Sequence, residues 1–238
     1  MDTAMFLMGL RYVINLESFP LFCIYLLMIF FSGYWQKWTK PLNLKPLLIL
    51  HNFICCVTST YTLYGFIHGV YKSGHLYSKE ITEELRFVFW VYYITKIIEL
   101  LDTVFMVLRH RRRQISFLHV YHHSSMLLLS NLGHLYFPYP CIAVFLSLNS
   151  LVHVVLYFYY GLTAMVPNNP PQWRKQLTQM QIIQFLIDFV VAFYGFVYHN
   201  FCLYSLFYGI TMTSLFSNFY YQAYVRKRKQ PEDKIKSN

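Results

Sequence analysis

Residues 115–132 read ISFLHVYHHSSMLLLSNL, an apolar run interrupted at His119-Val120-Tyr121-His122-His123 by three imidazoles within five positions. The apolar residues mark a helix that crosses a bilayer, and the histidines say which way it faces. At about 3.6 residues per turn, positions i, i+3 and i+4 stack on one side, so all three imidazoles project into one small volume. Ionisable groups are expensive at membrane depth and are tolerated where they face a bundle interior or a wet cavity. A lone histidine on such a helix is most often a satisfied core residue. Three on one face define a candidate site for chemistry or a metal.

The rest of the chain supplies the bundle. Of 238 residues, 56% are hydrophobic, 20% aromatic and 13% charged, where soluble chains carry about a quarter charged residues. Seven stretches, near 19–36, 46–70, 86–108, 115–132, 139–161, 177–198 and 201–224, have the roughly 17 to 25 residues that a hydrocarbon core of about 30 Å requires. The expected fold class is all-α: a polytopic membrane protein with seven transmembrane helices, one domain over 1–238, with the first apolar run kept as a span. Fifteen basic residues fall on one side of this arrangement and only Arg11, Lys72, Lys79 and Arg86 on the other. The positive-inside rule then makes the N-terminus luminal or external and the C-terminus cytosolic, with a basic tail over 225–238. The net charge of +10 thus belongs to short cytosolic loops, and nucleic acid is not an expected partner. Cys23, Cys55, Cys56, Cys141 and Cys202 lie in or beside apolar segments without framework spacing and read as small hydrophobes. No glycosylation sequon is present.

Three other spans carry polar stripes. The third has Lys96, Glu99, Asp102 and Thr103 along one face, where Lys96 and Glu99 can pair and either carboxylate can hold an imidazole of a neighbouring helix. A purely structural ion pair would look the same. The fifth has Asn149, His153, Tyr157 and Tyr160 on one face, which makes His153 a fourth candidate imidazole; Tyr159 and Tyr160 are expected in an interfacial belt. The sixth begins with Thr178, Gln181, Gln184 and Asp188 on one face, suited to interhelical hydrogen bonds or to lining a polar pocket. His51, Asn52 and His68 on the second span lack such company and are expected in the core or at the interface.

Four motifs in this order resemble those of the very-long-chain fatty-acid elongases, the ELO family of 3-ketoacyl-CoA synthases. The family's K-x-x-E-x-x-D-T falls on Lys96, Glu99, Asp102 and Thr103, and its H-x-x-H-H on His119, His122 and His123. Its H-x-x-M-Y-x-Y-Y falls on His153, Tyr157, Tyr159 and Tyr160, and its T-Q-x-Q-x-x-Q on Thr178, Gln179, Gln181 and Gln184. Leu156 stands where the family usually has Met, a nearly volume-conserving exchange. The resemblance covers about residues 20 to 225.

It implies a seven-helix enzyme of the endoplasmic reticulum membrane that condenses a long-chain acyl-CoA with malonyl-CoA, releasing CO2 and lengthening the chain by two carbons. No metal or other cofactor is expected beside these substrates. A second copy of the chain and the later enzymes of the elongation cycle are the expected protein partners. Lys234 and Lys236 resemble a cytosolic K-x-K-x-x retrieval signal. His122 is the expected nucleophile, with His119 and His123 orienting it and moving protons, and His153, Asn149 and Gln181 facing developing negative charge. Lys96, Glu99, Asp102, Tyr157 and Gln184 are expected to support them. Arg109, Arg111, Arg112, Arg113, Arg174 and Lys175 lie where CoA phosphates would arrive.

Three alternatives use parts of the same pattern. A di-iron desaturase or hydroxylase also carries H-x-x-H-H but needs several such boxes, about eight histidines in all, to ligate two irons. One box is present here, and His51, His68, His75, His110, His134 and His199 show no box spacing. A seven-helix receptor would leave the convergent polar stripes unexplained. A zinc hydrolase would want the glutamate of H-E-x-x-H, which is absent.

Overall fold

The structure, a computed structural model, describes residues 11–200 and 203–226, and among these there are helices and loops and no strand. The helices are α1 (Phe19–Trp38), α2 (Lys45–Ser73), α3 (Glu83–Glu99), α4 (Leu101–Leu108), α5 (Phe117–Tyr136), α6 (Pro140–Met165), α7 (Arg174–His199) and α8 (Leu203–Tyr220). A 3-10 turn, Arg112–Gln114, precedes α5, and a π-turn, Tyr221–Val225, follows α8. By length and composition, α1, α2, α6 and α7 can each cross a membrane. The helices that fall short are the broken α3–α4 pair, the histidine-bearing α5, and α8.

Local chemistry sets the helix ends. Proline stands in the first turn of α1, α2 and α6, where its missing N–H costs nothing. Thr82 caps α3 by accepting from the Leu85 N–H at 3.2 Å. Ser116 caps α5 in the same way, accepting from the His119 N–H at 3.2 Å, and so fixes the turn that carries the first histidine. Gly74 ends α2 in the left-handed region at φ 69°, a conformation that favours glycine. Because α2 runs on to Ser73 and α3 begins at Glu83, the α2–α3 connection is shorter than the gap between the expected spans 46–70 and 86–108.

The third expected span is the main local difference. Instead of one helix over 86–108, it is α3 and α4 joined at Leu100. The Leu100 N–H bonds the Ile97 carbonyl at 3.2 Å and the Thr103 N–H bonds the Leu100 carbonyl at 3.1 Å, the tighter spacing of a 3-10 turn. The turn lies between Glu99 and Asp102, inside the polar stripe.

Registers show how the rods run. Asn52 lies against Gly161, Cys56 against Val154 and Thr62 against Ser150, so α2 and α6 are antiparallel. Gly65 against Val88 and Gly69 against Leu85 make α2 and α3 antiparallel. Phe89 against Gly133 and Thr103 against His119 do the same for α3–α4 and α5, as do Phe185–Phe216 and Gln179–Tyr220 for α7 and α8. Apolar clusters tie the bundle together: Phe66, Leu85, Phe89, Tyr92 and Met126 join α2, α3 and α5, while Phe185, Met212 and Phe216 join α7 to α8.

The bundle is apolar outside and polar inside. Phe30 (69% exposed), Val190 (64%) and Phe53 (66%) look outward, while Lys96, Glu99, Thr103, Asn149 and His153 are buried. Such an exterior suits hydrocarbon rather than water, and the protein is a membrane protein. Tyr160 is exposed as expected of a belt residue, but Tyr159 is buried edge-on against the Trp173 ring at 4.9 Å, because the loop before α7 folds over it.

Close approach of α2 to α3 depends on the spacing Gly65-Phe-Ile-His-Gly69, a small-x-x-x-small pattern. A Cβ at Gly65 would lie 2.6 and 2.9 Å from the two Val88 methyls, whereas one at Gly161 would meet Asn52 at an ordinary 3.7 Å. Gly65→Ala should therefore destabilise by about 1–3 kcal/mol through overpacking, and Gly161→Ala should be neutral or stabilising by up to about 1 kcal/mol. Thermal unfolding in detergent checks this; equal shifts for both variants would contradict it.

Candidate active site

The centre is built on the Glu99 carboxylate. Lys96 Nζ donates to both of its oxygens, at 2.8 and 3.0 Å, and His153 Nδ1 approaches Glu99 Oε1 at 3.0 Å. Lys96, Glu99 and His153 are respectively 3%, 1% and 4% exposed, so they form a sealed triad. Nδ1 lies nearer the carboxylate than the ammonium, which is 3.3 Å away. That assigns Nδ1 the proton, and in the neutral ring Nε2 then carries the lone pair. With this tautomer His153 offers a base or nucleophile at Nε2. The donor role expected for it requires the doubly protonated ring. Lys96 Nζ also sits 4.7 Å from the centre of the Tyr92 ring, and Tyr92 donates its hydroxyl proton to Asn149 Oδ1 at 2.7 Å. Asn149 is thereby oriented by a residue that carried no motif signal.

The four expected imidazoles come together. Ring centres are 4.3 Å apart for His119 and His123, 5.5 Å for His122 and His123, and 6.0 Å for His122 and His153, the last pair bridging α5 and α6. His119 Nε2 is hydrogen-bonded to Thr103 Oγ1 at 2.8 Å, and Tyr25 of α1 meets the same hydroxyl at 3.0 Å. His122 has no such tie. It is half-buried, its ring makes no hydrogen bond among the described residues, and its Nδ1 is buried and unpartnered.

Asp102, one turn beyond Glu99, holds a second imidazole. His51 Nε2 lies 3.0 Å from Asp102 Oδ1, and Tyr157 donates to Asp102 Oδ2 at 2.8 Å. His51 is buried, in keeping with the core placement expected for it, but it has a carboxylate partner on another helix that its own span did not announce. Nothing within α2 advertised it, because its partner is supplied by α4. The glutamine stripe behaves differently: Gln184 spends its amide on Asp188 Oδ2 at 3.0 Å, within α7, and Gln181 is half-buried with no hydrogen bond to the histidines among the described residues.

The basic residues flank the same end of the bundle. Arg111, Arg112, Arg113, Arg174 and Lys175 are exposed and Arg109 is half-buried. The Arg112 guanidinium rests over Gly33 of α1, where a side chain would collide with it, and Lys175 Nζ lies 5.8 Å from the centre of the Tyr220 ring. Lys234 and Lys236 lie outside the described residues.

The triad separates a structural role from a chemical one. Lys96→Met leaves the Glu99 carboxylate buried without its ammonium and should cost about 3–5 kcal/mol, whereas Lys96→Met combined with Glu99→Leu should restore most of that stability. Thermal unfolding of both variants measures the first effect and condensation rate the second: the double variant should be stable and inactive. A stable, active double variant would reduce the triad to packing.

Comparison with known proteins places the chain in a family. The profile described as "ELO: GNS1/SUR4 family" matches residues 15–232. A very long chain fatty acid elongase 5 from Tachysurus fulvidraco is 32% identical over 224 residues, 86% of this chain and 74% of that protein. Elongase 7 from Rattus norvegicus is 35% identical over 211 residues, covering 81% and 75%, and elongase 2 from the same animal 34% over 235 residues, covering 91% and 82%. A match along nearly the whole chain, taking in all four polar stripes that line the interior, means that this chain belongs to the ELO family.

Proposed function

We propose that this protein is a very-long-chain fatty-acid elongase, the 3-ketoacyl-CoA synthase that condenses a long-chain acyl-CoA with malonyl-CoA as the first step of chain elongation. The observation that carries this reading is the meeting of His122 and His153, from different helices, 6.0 Å apart with Glu99 behind one of them. Two imidazoles so placed can flank a single thioester carbonyl. The similar proteins named as very long chain fatty acid elongases support the same activity.

The chemistry divides into two half-reactions. His122, whose Nδ1 is buried without a partner, attacks the acyl thioester; the N–C bond forms, the C–S bond breaks, and CoA leaves as the thiol with the imidazole proton. Malonyl-CoA then loses CO2, and its enolate attacks the acyl-imidazole carbonyl. The C–C bond forms, the C–N bond breaks, and a proton returns to His122. His153 Nε2 is the base at the same carbonyl, and His119 and His123 orient and shuttle protons. Asn149 and Gln181 face the developing oxyanion. The substrates supply all the carbon and sulfur chemistry, so no metal or further cofactor enters this scheme.

The reading has seven crossings with a luminal N-terminus, which the alternating rods and the distribution of basic residues support. The CoA phosphates would approach from the cytosol, near Arg109, Arg111, Arg113, Arg174 and Lys175, with Arg112 bracing the loop on α1. Residence in the endoplasmic reticulum is consistent with the tail lysines Lys234 and Lys236. A second copy and the later enzymes of the cycle are the protein partners this reading implies.

Incubation with acyl-CoA alone should raise the intact mass by one acyl group, located on His122 by fragmentation, and His122→Ala should abolish both the adduct and product from labelled malonyl-CoA. Product without any histidine adduct would replace the acyl-enzyme with direct condensation in a ternary complex. Absence of product with acyl-CoAs of every length would remove the elongase reading itself.

A further inference from the structure

Two carboxylate–imidazole pairs share the polar stripe of α3 and α4, and the mechanism above uses only one. Glu99 has an ammonium and an imidazole. Asp102 has no Lys or Arg, and among the described residues its one ion partner is His51. At about 1.5 Å of rise per residue, His51 and Asp102 lie about 9 Å from the ends of their helices at the basic face and Tyr157 about 12 Å. Glu99 and His153 lie about 14 and 18 Å deep by the same measure. On the topology proposed above, the Asp102 layer therefore lies nearer the cytosolic mouth than Glu99 and His153.

We infer that His51 is a positioning residue for the condensation, acting through Asp102 and Tyr157 on the spacing of His153 and His122. The links are short. His51 Nε2 holds Asp102 Oδ1 at 3.0 Å, Asp102 Oδ2 accepts the Tyr157 hydroxyl at 2.8 Å, and Tyr157 is one turn from His153 on α6, with ring centres 5.7 Å apart. The carboxylate thus fastens α2, α4 and α6 at one point. His51 itself is committed to the carboxylate: its Nε2 is taken up by Asp102, and the ring is enclosed by the Phe105 ring 5.2 Å away, the Tyr157 ring 6.0 Å away and Cys55 Sγ 3.7 Å from Nε2. Asp102, 13% exposed, is the more open member. Its neighbour Thr103 fixes His119, so a displaced Asp102 disturbs the histidine box from two sides.

A carboxylate at this depth needs its donors. When His51 is replaced by an apolar residue, Asp102 turns to recover a partner, Tyr157 loses its anchor, and α6 is free to shift. A displacement of about 1 Å between reacting groups can cost a hundredfold in rate.

The proposal rests on the elongase reading and is tested by kinetics of the full-length protein in microsomes, with acyl-CoA and labelled malonyl-CoA. His51→Leu should lower kcat by about tenfold or more while KM for acyl-CoA stays within about threefold, the pattern of lost transition-state alignment. His51→Gln, whose amide can donate from the place of Nε2, should recover kcat to within about threefold of the parent. Tyr157→Phe should reproduce the kcat loss, and the double variant His51→Leu/Tyr157→Phe should be no slower than the worse single, because both cut one chain.

Unchanged kcat in His51→Leu, failure of glutamine to rescue, or multiplicative losses in the double variant would overturn the proposal while leaving the elongase reading intact. An inactive parent protein would instead overturn that reading, and this inference with it. Should His51→Leu fail to fold, His51→Gln and Tyr157→Phe still decide: full kcat in Tyr157→Phe, or lost kcat in His51→Gln, overturns the proposal.

Discussion

A carboxylate buried in the middle of an apolar bundle has to be neutralised on the spot, and Glu99 organises the interior around that requirement. Its two oxygens take the Lys96 ammonium and the His153 imidazole. Because the ion pair is sealed from water, neither member can leave without a large penalty, and the positions of α3 and α6 are coupled. The same bonds fix the His153 tautomer and hold its ring with its centre 6.0 Å from that of His122. One electrostatic constraint thus serves both stability and chemistry.

Asp102 repeats the arrangement one turn away with weaker means. It lacks an ammonium and is satisfied by His51 and Tyr157, from α2 and α6. The break at Leu100 sits between the two carboxylates, so α3 and α4 are held by separate anchors rather than by one continuous ladder. Around this polar column the helices need little from one another except fit. Gly65 and Gly69 admit Val88 and Leu85, and Gly33 admits the Arg112 guanidinium.

Much of this was legible in the chain. Helix positions followed from the length of apolar runs, since a lipid-facing rod must be apolar over its whole exposed surface. The histidine box and the Lys96–Glu99 stripe could be read because their members share a helix, where spacing alone sets direction. His153 was placed with them because it is ionisable at membrane depth. His51 was passed over for the opposite reason: it is a single imidazole among apolar neighbours, and its partner lies 51 positions away in sequence. Tyr92 and Tyr25 were missed likewise, as two tyrosines in a chain holding 22, and Tyr159 was assigned to a belt that its packing on Trp173 denies it.

By itself the sequence determined the class of fold and the inward faces of the polar helices, because these depend on periodicity and composition within single segments, and its four motifs carried the resemblance to the family. Only the tertiary structure decided which imidazole meets which carboxylate, that His122 is left without a partner, and that His51 belongs to the polar interior. Those facts depend on the rotation and height of one helix against another, which are set by packing and by buried charge between residues far apart in the chain.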